Sequence, residues 1–129
     1  MVGLETAALP LTVVSLVLNV LVLVPVTGSL LLGARWPAGA YGERTPARDI
    51  LLAIYLAILA GSAALLVTVL VASRRLPDLE PAVLALLGLQ VVYKVLSGVT
   101  VRDLRNPVVL SNLGIAVVHS VTIALLVSS

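Results

Sequence analysis

A handful of polar side chains stand out for where they lie. The sequence holds one Lys, one His and one Gln, and Gln90, Lys94 and His119 all fall inside long apolar runs, as do Asn19 and Asn112. An ionisable group inside a bilayer costs several kcal/mol unless it is paired, hydrated or able to reach the headgroups. Lys94 offers a contact for an anion or substrate, and His119 a proton relay or ligand contact. Each has a structural use as well: snorkelling or pairing for Lys94, core hydrogen bonding for His119. Helical spacing groups these residues. Gln90 and Lys94 are one turn apart, with Ser97 and Gly98 on the same face. Ser111 and Asn112 align with His119 and Thr122, and Thr12, Ser15 and Asn19 fall at i, i+3 and i+7. We expect these faces to turn inward together, which a Lys94 aimed at lipid would contradict.

Much chemistry is excluded. With no Cys and one His, neither a thiolate nucleophile nor a self-contained zinc site is expected, since the latter takes three or four ligands. A haem held by two axial His would need a second subunit. No nucleophile–base pair, metal cluster or phosphate loop points to catalysis, and no cofactor is expected. All six acids (Glu5, Glu43, Asp49, Asp78, Glu80 and Asp103) stand at span ends or in loops. Proton-driven cation antiport relies on an intramembrane carboxylate, so a multidrug exporter is disfavoured. Lys94 thus lacks a buried counter-ion, leaving Gln90, Asn112, a backbone carbonyl, water or a bound anion to serve.

The elements that position these residues follow from composition. Of 129 residues, 60% are hydrophobic and 11% charged, with a mean hydropathy of +1.20. A soluble domain is roughly 45–50% apolar and about 25% charged, so the chain is an integral membrane protein. Residues 6–34, 50–73 and 106–129 carry no charge, and 81–101 carry only Lys94. A spanning helix takes ~20 apolar residues. The expected fold is all-α: an antiparallel four-transmembrane-helix bundle in one membrane domain, 1–129, with helices over about 8–33, 46–73, 81–101 and 107–128. The apolar run near the start is too long for a signal peptide, so the first span is expected to be retained.

Thr45-Pro46 and Asn106-Pro107 each set a capping side chain before a proline at the first helical position, and Glu80-Pro81 does much the same. Gly33 suits the end of the first span, while Pro25 should kink it or end its regular part. Short connections at 74–80 and 102–106 predict antiparallel neighbours. In the longer loop 34–45, Trp36 and Tyr41 suit the membrane interface. Arg48 and Tyr55, seven residues apart on one face at the membrane interface, either serve the packing of the helix entrance or meet a headgroup or the 102–105 loop. Arg35, Arg44, Arg48, Arg102 and Arg105 stand against Arg74 and Arg75. Loops 34–45 and 102–106 are therefore expected in the cytoplasm of a multi-pass cell-membrane protein, with both termini outside.

The second span carries a stripe of small residues, Ala53, Ala57, Gly61 and Ala64, with Ala60, Thr68 and Ala72 beside it. Such spacings let helix backbones approach closely, either within one bundle or between copies. The net charge of +2 gathers in no basic cluster, so no nucleic acid partner is expected. With four aromatic residues and no Phe, no aromatic platform is expected either.

The short first loop, the Arg48-Asp49-Ile50-Leu51-Leu52-Ala53-Ile54-Tyr55 lead into the second span, and the basic residue in the third together resemble the small DoxX-like four-helix membrane proteins. The resemblance covers most of the chain at the level of layout and implies the four-helix fold; it carries over no functional residue. Three functions fit the sequence. The first is a non-enzymatic membrane protein packing as a homo-oligomer or as an accessory subunit of a larger assembly. The second is a channel or transporter for a small or anionic solute using Gln90, Lys94, Asn112 and His119. The third is a lipid-modifying enzyme.

Overall fold

The computed structural model describes residues 2–71 and 76–128. Ala72, Arg74 and Arg75, used above for the small-residue stripe and the orientation, lie outside them. The order is α1 (Val2–Leu31), α2 (Trp36–Tyr41), α3 (Pro46–Leu70), α4 (Leu76–Val101) and α5 (Pro107–Ser128), with no strand among the described residues. α1, α3, α4 and α5 are each long and apolar enough to cross a membrane, as the charge-free runs predict.

Local chemistry sets the helix ends. Thr45 is extended (φ −134°, ψ 166°), and its hydroxyl accepts from the Arg48 backbone N–H at 3.3 Å. Asn106 Oδ1 likewise accepts from the Val108 N–H at 2.9 Å. Both caps satisfy amides that the first helical turn leaves orphaned. α1 closes at Gly33, whose φ of 69° lets the Ala34 N–H reach back to the Ser29 carbonyl at 3.0 Å; that left-handed position favours glycine.

Three expectations are corrected. Of the two outcomes expected at Pro25, a kink or an end, the end is excluded: α1 also carries Pro10 and runs unbroken to Leu31. Lipid offers a freed backbone no other partner, so the helix persists through its prolines, and the Thr27 hydroxyl donates to the Leu23 carbonyl at 2.6 Å just beyond. α4 is already helical at Leu76, where the described residues resume, so Pro81 lies inside it rather than opening it. The 34–45 loop contains a helix, α2, that begins at Trp36-Pro37 and ends at Gly42 (φ 84°).

Packing is inside-out relative to a soluble protein. Thr12, Ser15, Ser62, Gln90, His119 and Thr122 are 0–1% exposed, whereas Leu21, Leu89 and Val117 are 64–67% exposed. An apolar exterior of this extent takes lipid as its solvent. α1 packs on α3 and α5, and α4 packs on α5. α3 and α4, expected as close neighbours, meet only lightly. An apolar cluster of Ala8, Val83, Leu87 and Leu126 fills the end near the termini. A second, of Leu23, Leu30, Tyr55 and Ile58, fills the end near α2. Asn19, Ser62 and His119 are buried between the two, whereas Thr27 and Arg48 are buried at the α2 end.

Candidate functional site

The polar layer stitches three helices together. Asn19 on α1 donates from Nδ2 to Ser62 Oγ on α3 at 3.0 Å. Its Oδ1 faces His119 Nε2 on α5 at 2.9 Å, so Nε2 carries the proton and donates. His119 Nδ1 is buried without a partner, and so is Gln90 Nε2. One turn towards the termini, the Ser15 and Thr122 hydroxyls meet at 2.8 Å. These short polar side chains join helices where lipid gives no hydrophobic push.

Lys94 forms a second polar centre. It is 5% exposed, and its Nζ donates to Asn112 Oδ1 at 2.9 Å. Asn112 Nδ2 donates to Ser97 Oγ at 3.2 Å, and that hydroxyl donates to the Lys94 carbonyl at 2.7 Å. Asn112 is thus locked with its oxygen towards the amine. The Tyr93 ring centroid lies 4.9 Å from Nζ, within range of a cation–π contact. The single ion pair among the described residues is Arg44–Asp49, remote from this centre and exposed. An ammonium has three N–H donors, and Lys94 has one hydrogen-bond acceptor.

Beside the amine lies a cavity of about 220 Å³, partly open to the surface between α1, α2 and α5. Lys94, Asn112 and Ser111 line one side of it. Trp36, Tyr41, Tyr55 and Tyr93 also border it, Tyr93 next to the amine, and Val22, Leu23, Val26 and Val108 supply apolar wall. Every aromatic residue in the sequence therefore borders one cavity, which corrects the expectation that no aromatic platform exists. The Trp36 and Tyr41 rings are 6.4 Å apart, and Tyr41 meets Tyr55 edge-on at 6.0 Å. Four aromatics on three elements look scattered in sequence. The available signal was depth: Tyr55 is nine residues from the start of α3 and Tyr93 eight from the end of α4, so antiparallel spans bring both to one level. Behind the tyrosines, a second cavity of about 220 Å³ opens where α3 and α4 part, bordered by Leu51, Ser97 and Val101.

α2 borders the cavity through Trp36 and Tyr41, and two polar contacts hold it. Arg48 is buried and takes a structural role, donating from Nη1 to the Gly42 carbonyl at 2.9 Å. Asn106 Nδ2 donates to the Ala40 carbonyl at 2.8 Å. Burial first, and the neighbouring Tyr55 phenol second, hold the Tyr41 hydroxyl protonated well above the usual tyrosine range. Trp36 is about half exposed at the rim.

The five polar residues singled out from sequence are all buried: Lys94 with Asn112, Asn19 with His119, and Gln90 without a hydrogen-bond partner. No hydrogen bond joins the two pairs among the described residues. On α3, Ala53, Ala57 and Ala64 are exposed and Gly61 is half-buried beside Leu86, so most of the small-residue stripe faces outward from this chain. No family model, curated protein or solved structure matches the chain.

Proposed function

We propose that this integral membrane protein is non-enzymatic and binds a small anion inside the bilayer at Lys94, as a carrier or channel does. One observation carries the reading: the single lysine lies buried inside a span, held by a neutral amide beside a cavity and without an ion pair among the described residues. A buried charge without a charged partner is costly. A bound anion supplies that partner, and the cavity gives it room. Asn112 keeps the amine pointed at the site while leaving its charge uncompensated. The arginine bias puts α2 and the 102–106 connection in the cytoplasm, so the cavity opens near that face, with both termini outside. The layout resembles DoxX-like proteins, and that likeness bears on the fold alone.

A second reading is compatible with the first. The outward Ala53, Ala57 and Ala64 favour close packing of α3 against another helix, in a homo-oligomer or as an accessory subunit. The test of the main reading is anion flux from proteoliposomes. Wild type is expected to conduct, and Lys94→Ala to lose at least tenfold; equal flux from both proteins would remove Lys94 from the mechanism.

A further inference from the structure

A single inorganic ion needs a small ring of donors and little else. The cavity at Lys94 is shaped otherwise. Its volume of about 220 Å³ far exceeds one ion, and an apolar cavity of about 150 Å³ already accepts a benzene ring. The space suits one six-membered ring bearing one small charged group. Its walls suit the same description, since a chain with 3% aromatic residues places all of them here. The Tyr41 and Tyr55 rings stand edge-on at 6.0 Å and Trp36 tilts against Tyr41 at 6.4 Å. Such geometry leaves ring faces and edges to receive another ring. The same lining supplies the polar groups, the Lys94 ammonium and the Ser111 hydroxyl, with the Tyr93 ring centroid 4.9 Å from the amine.

We infer that the anion taken at Lys94 is organic, a monocyclic aromatic carboxylate, with its ring among Trp36, Tyr41, Tyr55 and Tyr93 and its carboxylate on the Lys94 amine. This rests on the anion-binding reading and narrows it to a ligand class. Ser111 donates a second hydrogen bond to the carboxylate. Val22, Val26 and Val108 close over the ring edge, and Trp36 stands at the opening.

Trp36 is the sole tryptophan, so its fluorescence reports the cavity without labelling. The experiment titrates purified protein in lipid nanodiscs at neutral pH with benzoate, acetate and chloride. Benzoate is expected to change Trp36 emission saturably, at a concentration at least tenfold below acetate or chloride. Lys94→Gln is expected to abolish the saturable response. Tyr41→Leu, which alters no membrane span, is expected to weaken benzoate about 2- to 10-fold while leaving acetate unchanged. Saturable binding of all three anions with equal affinity overturns the aromatic ligand class and leaves the anion reading standing. No saturable response to any of them, or an undiminished response in Lys94→Gln, overturns both.

Discussion

Replacing Asn112 by Leu leaves the Lys94 amine buried with no hydrogen-bond acceptor, and the cost can be worked from the geometry. The wild-type contact is short, at 2.9 Å, and its donor is charged; charge-assisted bonds of this kind contribute ~1.5–3 kcal/mol. Interhelical polar contacts in membranes average only ~0.6 kcal/mol and reach ~1.7, because unfolded helices in lipid find other partners. Two features soften the loss further. Tyr93 still faces Nζ at 4.9 Å, and the amine can turn to water in the adjacent cavity. The lost Ser97 contact counts for little, since that hydroxyl keeps its bond to the Lys94 carbonyl. Together these place the cost of Asn112→Leu at ~1 kcal/mol, between the membrane average and its upper end, with α4 loosened from α5. Lys94→Met combined with Asn112→Leu removes donor and acceptor together, which is close to neutral when the shapes match. A double-mutant cycle read by SDS-induced unfolding in micelles is therefore expected to give a coupling of ~1.5 kcal/mol. Additive effects, or a single-variant cost below ~0.5 kcal/mol, would falsify the account of Asn112 as the residue that holds the amine.

Three further outcomes follow from the same structure. Asn19→Leu strands both Ser62 Oγ and His119 Nε2 and should destabilise the bundle by ~1–3 kcal/mol, more than a Leu placed at exposed Ser120; equal unfolding midpoints would refute the stitching role. Tyr41 holds its proton more tightly when folded, so its contribution is intact below about pH 10 and declines as pH rises above that. Comparing Tyr41→Phe with wild type at pH 9 and pH 11 should show a smaller alkaline loss in the variant; parallel losses would count against a buried Tyr41 phenol. Arg102 closes α4 with φ 55°, a conformation that costs a non-glycine residue ~1 kcal/mol. Arg102→Gly is expected to raise stability by a few tenths of a kcal/mol or more, and a clear loss would contradict the left-handed cap.

What could be read in advance was what depends on neighbours in sequence. Thr45, Asn106 and Gly33 act on backbone groups within a few residues, so each helix end they make was legible. The inward face of Thr12, Ser15 and Asn19 was legible too, because helical period alone sets it. The helical stretch before Pro81 was not, since Pro77-Asp78 and Glu80-Pro81 carry the same start signal in the sequence. α2 escaped notice because Trp-Pro-Ala-Gly-Ala-Tyr is too short to show a period, and tertiary contacts from Arg48 and Asn106 anchor it. The aromatic cavity was hidden for a related reason: its residues come from separate elements and meet only through their shared depth. Lys94 could be singled out by its place in an apolar run, but its locking by Asn112 and Ser97 needed the register of α4 against α5.

Lys94 is the only lysine in the chain, so lysine labelled with ¹⁵N at Nζ reports one side chain. The most direct test of anion binding follows that resonance in nanodiscs as an anion is added, using benzoate first and acetate second. A saturable shift of the Lys94 signal, unchanged on adding a neutral aromatic of the same size, is the predicted result. A signal that stays fixed for both anions at concentrations far above any specific affinity would contradict the central claim that this buried amine receives an anion.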